Sequence, residues 1–135
     1  MIDIGANIGD TSLNMAAAAG GKGTVVAFEM GPPVDILRIN VNQNHQFHVD
    51  LHEVAVSDSF GTVAYTSGSG GVNGGIPQDT RLHNVQSSVK SVKLFQYLQT
   101  KYSDNFIENI CFMKTDTEGH DVTILEVNWK PFLFP

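Results

Sequence analysis

Ile2-Asp-Ile-Gly-Ala-Asn-Ile-Gly-Asp-Thr11, followed by Thr24-Val-Val-Ala-Phe-Glu29, is the stretch that decides the fold. A short apolar strand runs into a glycine-rich turn and then a helix. A second apolar strand follows and ends in a carboxylate, roughly 20 residues after the turn. This is the order of a nucleoside-binding βαβ unit, with the acid where a ribose lies.

Outward from that unit, apolar runs at residues 1–4, 24–28, 52–56 and 109–113 alternate with helical patterns. Three of them are near-continuous Val, Ile, Ala and Phe, as in strands covered by helices on both faces. The first helix is expected from Gly9 or Asp10 to Ala19, with capping oxygens from Asp10, Thr11 and Ser12 and a stop at Gly20-Gly21. A second begins at Pro32-Pro33 and presents Val34, Leu37 and Val41 on one face. Residues 62–66 alternate like a hairpin strand. Val92, Phe95, Leu98 and Tyr102 mark a third helix face, and a last helix carries Val122, Leu125 and Trp129. The alternation predicts an α/β fold with a mostly parallel sheet.

With 135 residues, the chain is one domain at most. A hydrophobic content of 41% with 16% charged residues is globular, and a formal charge of −6 without a basic run argues against a nucleic-acid surface. No apolar run reaches the roughly 18 residues of a membrane span. The single cysteine excludes an internal disulfide and fits a reducing compartment, the cytoplasm first. Cys111 sits in an apolar run and is expected as a packed thiol, whereas His45, His48, His52 and His83 stand among polar residues and are expected at the surface. Residues 67–75, rich in glycine and serine, read as a surface loop, with a substrate lid as the alternative. Both ends read as interrupted: the chain opens inside a strand and closes on Pro131-Phe-Leu-Phe-Pro135.

The turn chooses among nucleoside ligands. A dinucleotide fingerprint needs a middle glycine against the pyrophosphate, and here Asn7 holds that place. Asp3 and Asp10 flank the turn, and the loop itself contains no Arg or Lys. A ligand with a positive centre suits it better, and S-adenosylmethionine has one. Glu29 is expected to accept both ribose hydroxyls. Downstream, Lys114-Thr-Asp-Thr-Glu-Gly-His-Asp121 follows the fourth apolar run, so Asp116 is expected to face the same crevice. Three roles compete there: contact with the methionine ammonium by Asp116, acid–base work by His120, and metal binding by Asp116, Glu118 and His120. The first weighs most and no metal is assigned; capping and solvated charge remain the plain alternative.

Asp3–Ser12, Val25–Glu29, Ala55-Val-Ser-Asp58 and Lys114–Asp121 with Ile124-Leu125 beyond, in that order, resemble the FkbM family of S-adenosylmethionine-dependent methyltransferases. The resemblance implies a Rossmann-like class I methyltransferase fold, truncated at both ends. It implies a cofactor site of Asp3, Gly5, Ala6, Asn7, Gly9 and Glu29, with Asp58 near the adenine. It puts Asp116 beside methyl donor and acceptor, with Asp116 and His120 as the catalytic candidates. The acceptor it implies is a hydroxyl of a small molecule or sugar. Met30 stands where the family usually has proline. Without the family's later strands, the fourth strand is an exposed edge, open to dimer pairing through residues 109–113. A nicotinamide-dependent oxidoreductase and a non-catalytic nucleoside- or partner-binding remnant are the competing readings.

Overall fold

The computed structural model describes residues 1–67, 74–75 and 87–128. Its central sheet is parallel, in the order β3-β2-β1-β8: β3 (His48–His52), β2 (Thr24–Phe28), β1 (Ile2–Ile4) and β8 (Met113–Thr115). Ile2 aligns with Val26 on one side and with Met113 on the other. This is the Rossmann-like α/β arrangement that the sequence predicts.

Both faces of the sheet are covered at its central strands β1 and β2, which explains the near-continuous apolar run of β2. Val26 and Phe28 pack with Ile2, Ile4 and Ile124 on one face. On the other, Val25 packs with Met15 and Ala16, and Ala27 packs with Leu37. Those last residues come from helices α1 (Asp10–Ala18) and α2 (Pro33–Gln43), which therefore lie on the same side. Each fully buried Val or Leu contributes about 1.5–3 kcal/mol.

A second sheet, in the order β4-β7-β5-β6, stands beside the first. Its strands are β4 (Ala55–Val56), β5 (Gly61–Ser67), β6 (Gly74–Gly75) and β7 (Ser87–Val92). β5 pairs antiparallel with both β6 and β7, while β4 and β7 run parallel. The expected hairpin strand is thus present and is seven residues long. The expected loop at 67–75 is strand-paired at both ends, and its interior, 68–73, lies outside the described residues, as do His83 and Trp129.

Several expectations are corrected. The third strand is His48–His52, and the run at 54–56 enters the second sheet instead. The fourth strand begins at Met113, so 109–112 is a connection after α4 (Asp104–Glu108), and Cys111 is exposed rather than packed. α1 has Gly9 at its N-cap, which has no side chain to cap with, and Ser12 turns inward to Asp3 instead of capping. α3 (Leu94–Lys101) buries Leu94 and Leu98, Val92 belonging to β7. In α5 (Asp121–Asn128), Ile124 is the buried residue while Val122 is 66% exposed.

His52 is also not a surface group. Its ring stacks on Phe28 at 5.2 Å and lies between the hydroxyls of Tyr97 (3.1 Å from Nδ1) and Tyr102 (2.8 Å from Nε2). Tyr102 donates its proton to Asp50, so its oxygen accepts from His52 Nε2–H and Tyr97 donates to Nδ1. This closed network packs the C-terminal end of α3 onto β3. Burial lowers the His52 pKa, against the pull of Asp50.

Candidate functional site

The carboxyl ends of β1, β2 and β8 open into a crevice of about 410 Å³, within the range of about 300–1,000 Å³ usual for small-molecule sites. Its floor is the turn after β1. Gly5 has φ +74°, and a Cβ placed on it would stand 2.0 Å from the Asp116 carbonyl oxygen. Only glycine lets the two strand ends approach this closely. Asn7 also takes a left-handed conformation, φ 52°, as its short amide side chain permits. Gly9, at φ +92°, serves packing: a Cβ there would meet Leu37 Cδ1 at 2.4 Å.

Glu29 closes the turn from the β2 side. Its Oε2 accepts from the Asn7 amide at 2.8 Å, and its Oε1 accepts from the amides of Met30 and Gly31, each at 2.9 Å. A carboxylate offers about four acceptor positions. Three are taken, so one remains, on Oε2. Met30 supplies an N–H that proline, usual at this position in the resembling family, could not.

Asp3 lies beneath the turn with no exposed surface. Ser12 donates to its Oδ2 at 2.6 Å, and the Lys114 ammonium stands 3.1 Å from its Oδ1, an ionic contact without hydrogen-bond alignment. Lys114 donates instead to the Gly5 carbonyl at 3.0 Å. Asp3 therefore meets the crevice through Lys114 and not with its own oxygens. The turn does have a cation beside it, supplied by β8 from 109 residues away in sequence.

Asp116 and His120 both line the crevice. The Asp116 side chain is 71% exposed, its Oδ2 3.8 Å from the Lys114 ammonium, while its backbone N–H is fixed to the Ile4 carbonyl. His120 Nε2 lies 3.0 Å from Ser57 Oγ, which itself donates to Asp58. Asp121 holds the intervening segment by accepting from Thr115 Oγ1, Thr117 N and Thr117 Oγ1 at 2.7–2.9 Å. Burial pushes its carboxyl up, but these bonds outweigh that and its pKa lies below the ordinary value. Asp58 stands outside the crevice lining, exposed, its pKa lowered first by the Ser59 hydroxyl. Gly5, Ala6, Asn7 and Glu29 line it; Asp3 and Gly9 do not. Among the described residues no group of three or more His, Cys, Asp or Glu is arranged around a metal position.

Two lining residues escape a sequence reading. Lys114 is one; Tyr65, from β5, is the other. The alternation in β5 puts Tyr65 inward, but nothing local says which crevice it faces.

A central parallel sheet ordered β3-β2-β1-β8, a glycine turn after the first strand and an acid after the second define a Rossmann-like methyltransferase fold. The family follows from comparison. Residues 3–131 match the Methyltransferase FkbM domain, nearly the whole chain, which therefore belongs to that family. No curated protein and no solved structure matches it. Among the described residues no helix is long and apolar enough to cross a membrane.

Proposed function

We propose that this chain transfers a methyl group from S-adenosylmethionine to a hydroxyl oxygen of a small molecule or sugar. The observation that carries the reading is Glu29 at the end of β2: its Oε2 is anchored 2.8 Å from the Asn7 amide, with one acceptor position left for a ribose hydroxyl. The residues present fit this donor. Asp10, Glu29, Asp116 and Glu118 line the crevice against a single ammonium, Lys114. That balance favours a cationic ligand over a pyrophosphate.

When bound, S-adenosylmethionine supplies an electrophilic methyl group on a sulfonium. Gly5, Ala6 and Asn7 hold the backbone of the turn against its nucleoside. Asp116, exposed at the rim beside Lys114, would pair with the amino group of its methionine end. His120 takes the proton that the acceptor hydroxyl releases. With the Ser57 proton directed at Asp58, His120 Nε2–H donates to Ser57 and Nδ1 keeps the lone pair for that task. Rate enhancement comes mainly from holding the reacting atoms in near-attack geometry.

Isothermal titration calorimetry with S-adenosylhomocysteine and, separately, with NADH tests the reading. Saturable binding of the first and none of the second is expected. The reverse pattern would overturn it in favour of an oxidoreductase.

A further inference from the structure

Glu29 can serve one ribose hydroxyl, yet a ribose presents two. The second needs a partner that the turn does not supply, since the amides of Met30 and Gly31 are already spent on Oε1. One candidate group stands beside them. Tyr65 lines the crevice with its side chain 5% exposed, and a Cβ placed on Gly31 would lie 2.7 Å from the phenol oxygen. Gly31 leaves room for that hydroxyl to sit directly against the β2–α2 turn. Among the described residues nothing hydrogen-bonds the phenol, and its oxygen keeps solvent contact, open to a partner from the crevice.

We propose that the Tyr65 hydroxyl is the second half of a diol clamp, hydrogen-bonding the ribose hydroxyl that Glu29 cannot take. This rests on the nucleoside reading of the crevice and deepens it. The two groups divide the work by chemistry: the carboxylate can only accept, whereas the phenol can donate to a hydroxyl oxygen. Burial and the nearby Glu29 charge raise the Tyr65 pKa, so the phenol keeps its proton at neutral pH. The β5 strand that carries it belongs to the second sheet, so the clamp joins the two sheets across the ligand. Tyr65 is thereby a specificity-determining residue, selecting ribose over deoxyribose.

The test is calorimetry on the parent and on Tyr65→Phe, using S-adenosylhomocysteine and its 2′-deoxy and 3′-deoxy counterparts. Phe keeps the ring packing and removes one oxygen. The variant should bind S-adenosylhomocysteine roughly three- to tenfold more weakly, the worth of one neutral hydrogen bond. One of the two deoxy ligands should lose affinity on the parent but little further on the variant, because the hydroxyl and its partner are then both gone. Equal losses from Tyr65→Phe for all three ligands, or no loss, would overturn the clamp while leaving the nucleoside reading intact. A parent that binds none of them overturns both. Thermal melting of the variant, expected within a few degrees of the parent, separates loss of the contact from loss of the fold.

Discussion

Replacing Gly5 by alanine probes the closest approach at any of the described glycines. The added methyl would stand 2.0 Å from the Asp116 carbonyl oxygen and 2.9 Å from its carbon. Both are backbone atoms and cannot swing aside, and the Asp116 N–H is tied to the Ile4 carbonyl at 3.0 Å. The ends of β1 and β8 must therefore separate. A left-handed conformation costs a side-chain-bearing residue about 1–2 kcal/mol, and forcing a methyl into packed surroundings adds about 1–3 kcal/mol. The sum, roughly 2–5 kcal/mol, should lower the melting temperature by on the order of 10 °C for a domain of this size. Gly20 supplies the control: its φ is +64°, and nothing lies within 4 Å of a Cβ built there. Gly20→Ala should lose only the conformational part. Differential scanning calorimetry of both variants reads the difference. Equal losses would refute the close approach of the two strand ends, and with it the placement of Asp116 beside the turn.

Lys114→Met should cost about 3–5 kcal/mol in chemical denaturation, because it leaves the Asp3 carboxylate buried without its counter-charge; adding Asp3→Asn should recover part of that, and no recovery would mean that the pair is not coupled. Glu29→Gln turns a carboxamide nitrogen toward donor amides and should weaken S-adenosylhomocysteine binding at least about tenfold; calorimetry showing parental affinity would contradict the role given to this residue. For His52 the sign follows from its lowered pKa: between its folded pKa and the ordinary 6.5 the unfolded chain binds more protons. Its contribution is complete above pH 6.5 and is lost as pH falls below it, so urea midpoints should drop on that side and His52→Asn should flatten the dependence. A parent whose midpoint holds steady from pH 7 to 5 would contradict the buried neutral ring.

Much of this was legible in the chain because two strands are covered on both faces. β2 carries a near-continuous apolar run and β1 one interrupted only by the buried Asp3, so their positions, the turn between them and the acid at residue 29 follow directly from sequence. β3 and β8 flank that pair and follow other rules. β3 alternates His-Val-Asp-Leu-His, the period of a half-covered strand, and the more apolar neighbour at 54–56 masks it. In β8, Lys114 replaces an apolar residue because it must reach Asp3, so a search for hydrophobic runs stops one element short. His52 reads as polar and exposed until Tyr97 and Tyr102, 45 and 50 residues on, arrive to satisfy both its nitrogens. Asp116 and His120 were legible from their place after an apolar run; Tyr65 was not, since its partner surface is formed by the distant Gly31.

The most direct test is a crystal structure of the chain with S-adenosylhomocysteine bound. The account predicts one ribose hydroxyl within hydrogen-bond distance of Glu29 Oε2, while Oε2 keeps its contact to the Asn7 amide. A nucleoside seated elsewhere, or a Glu29 side chain swung away from the turn to receive both hydroxyls, would contradict it.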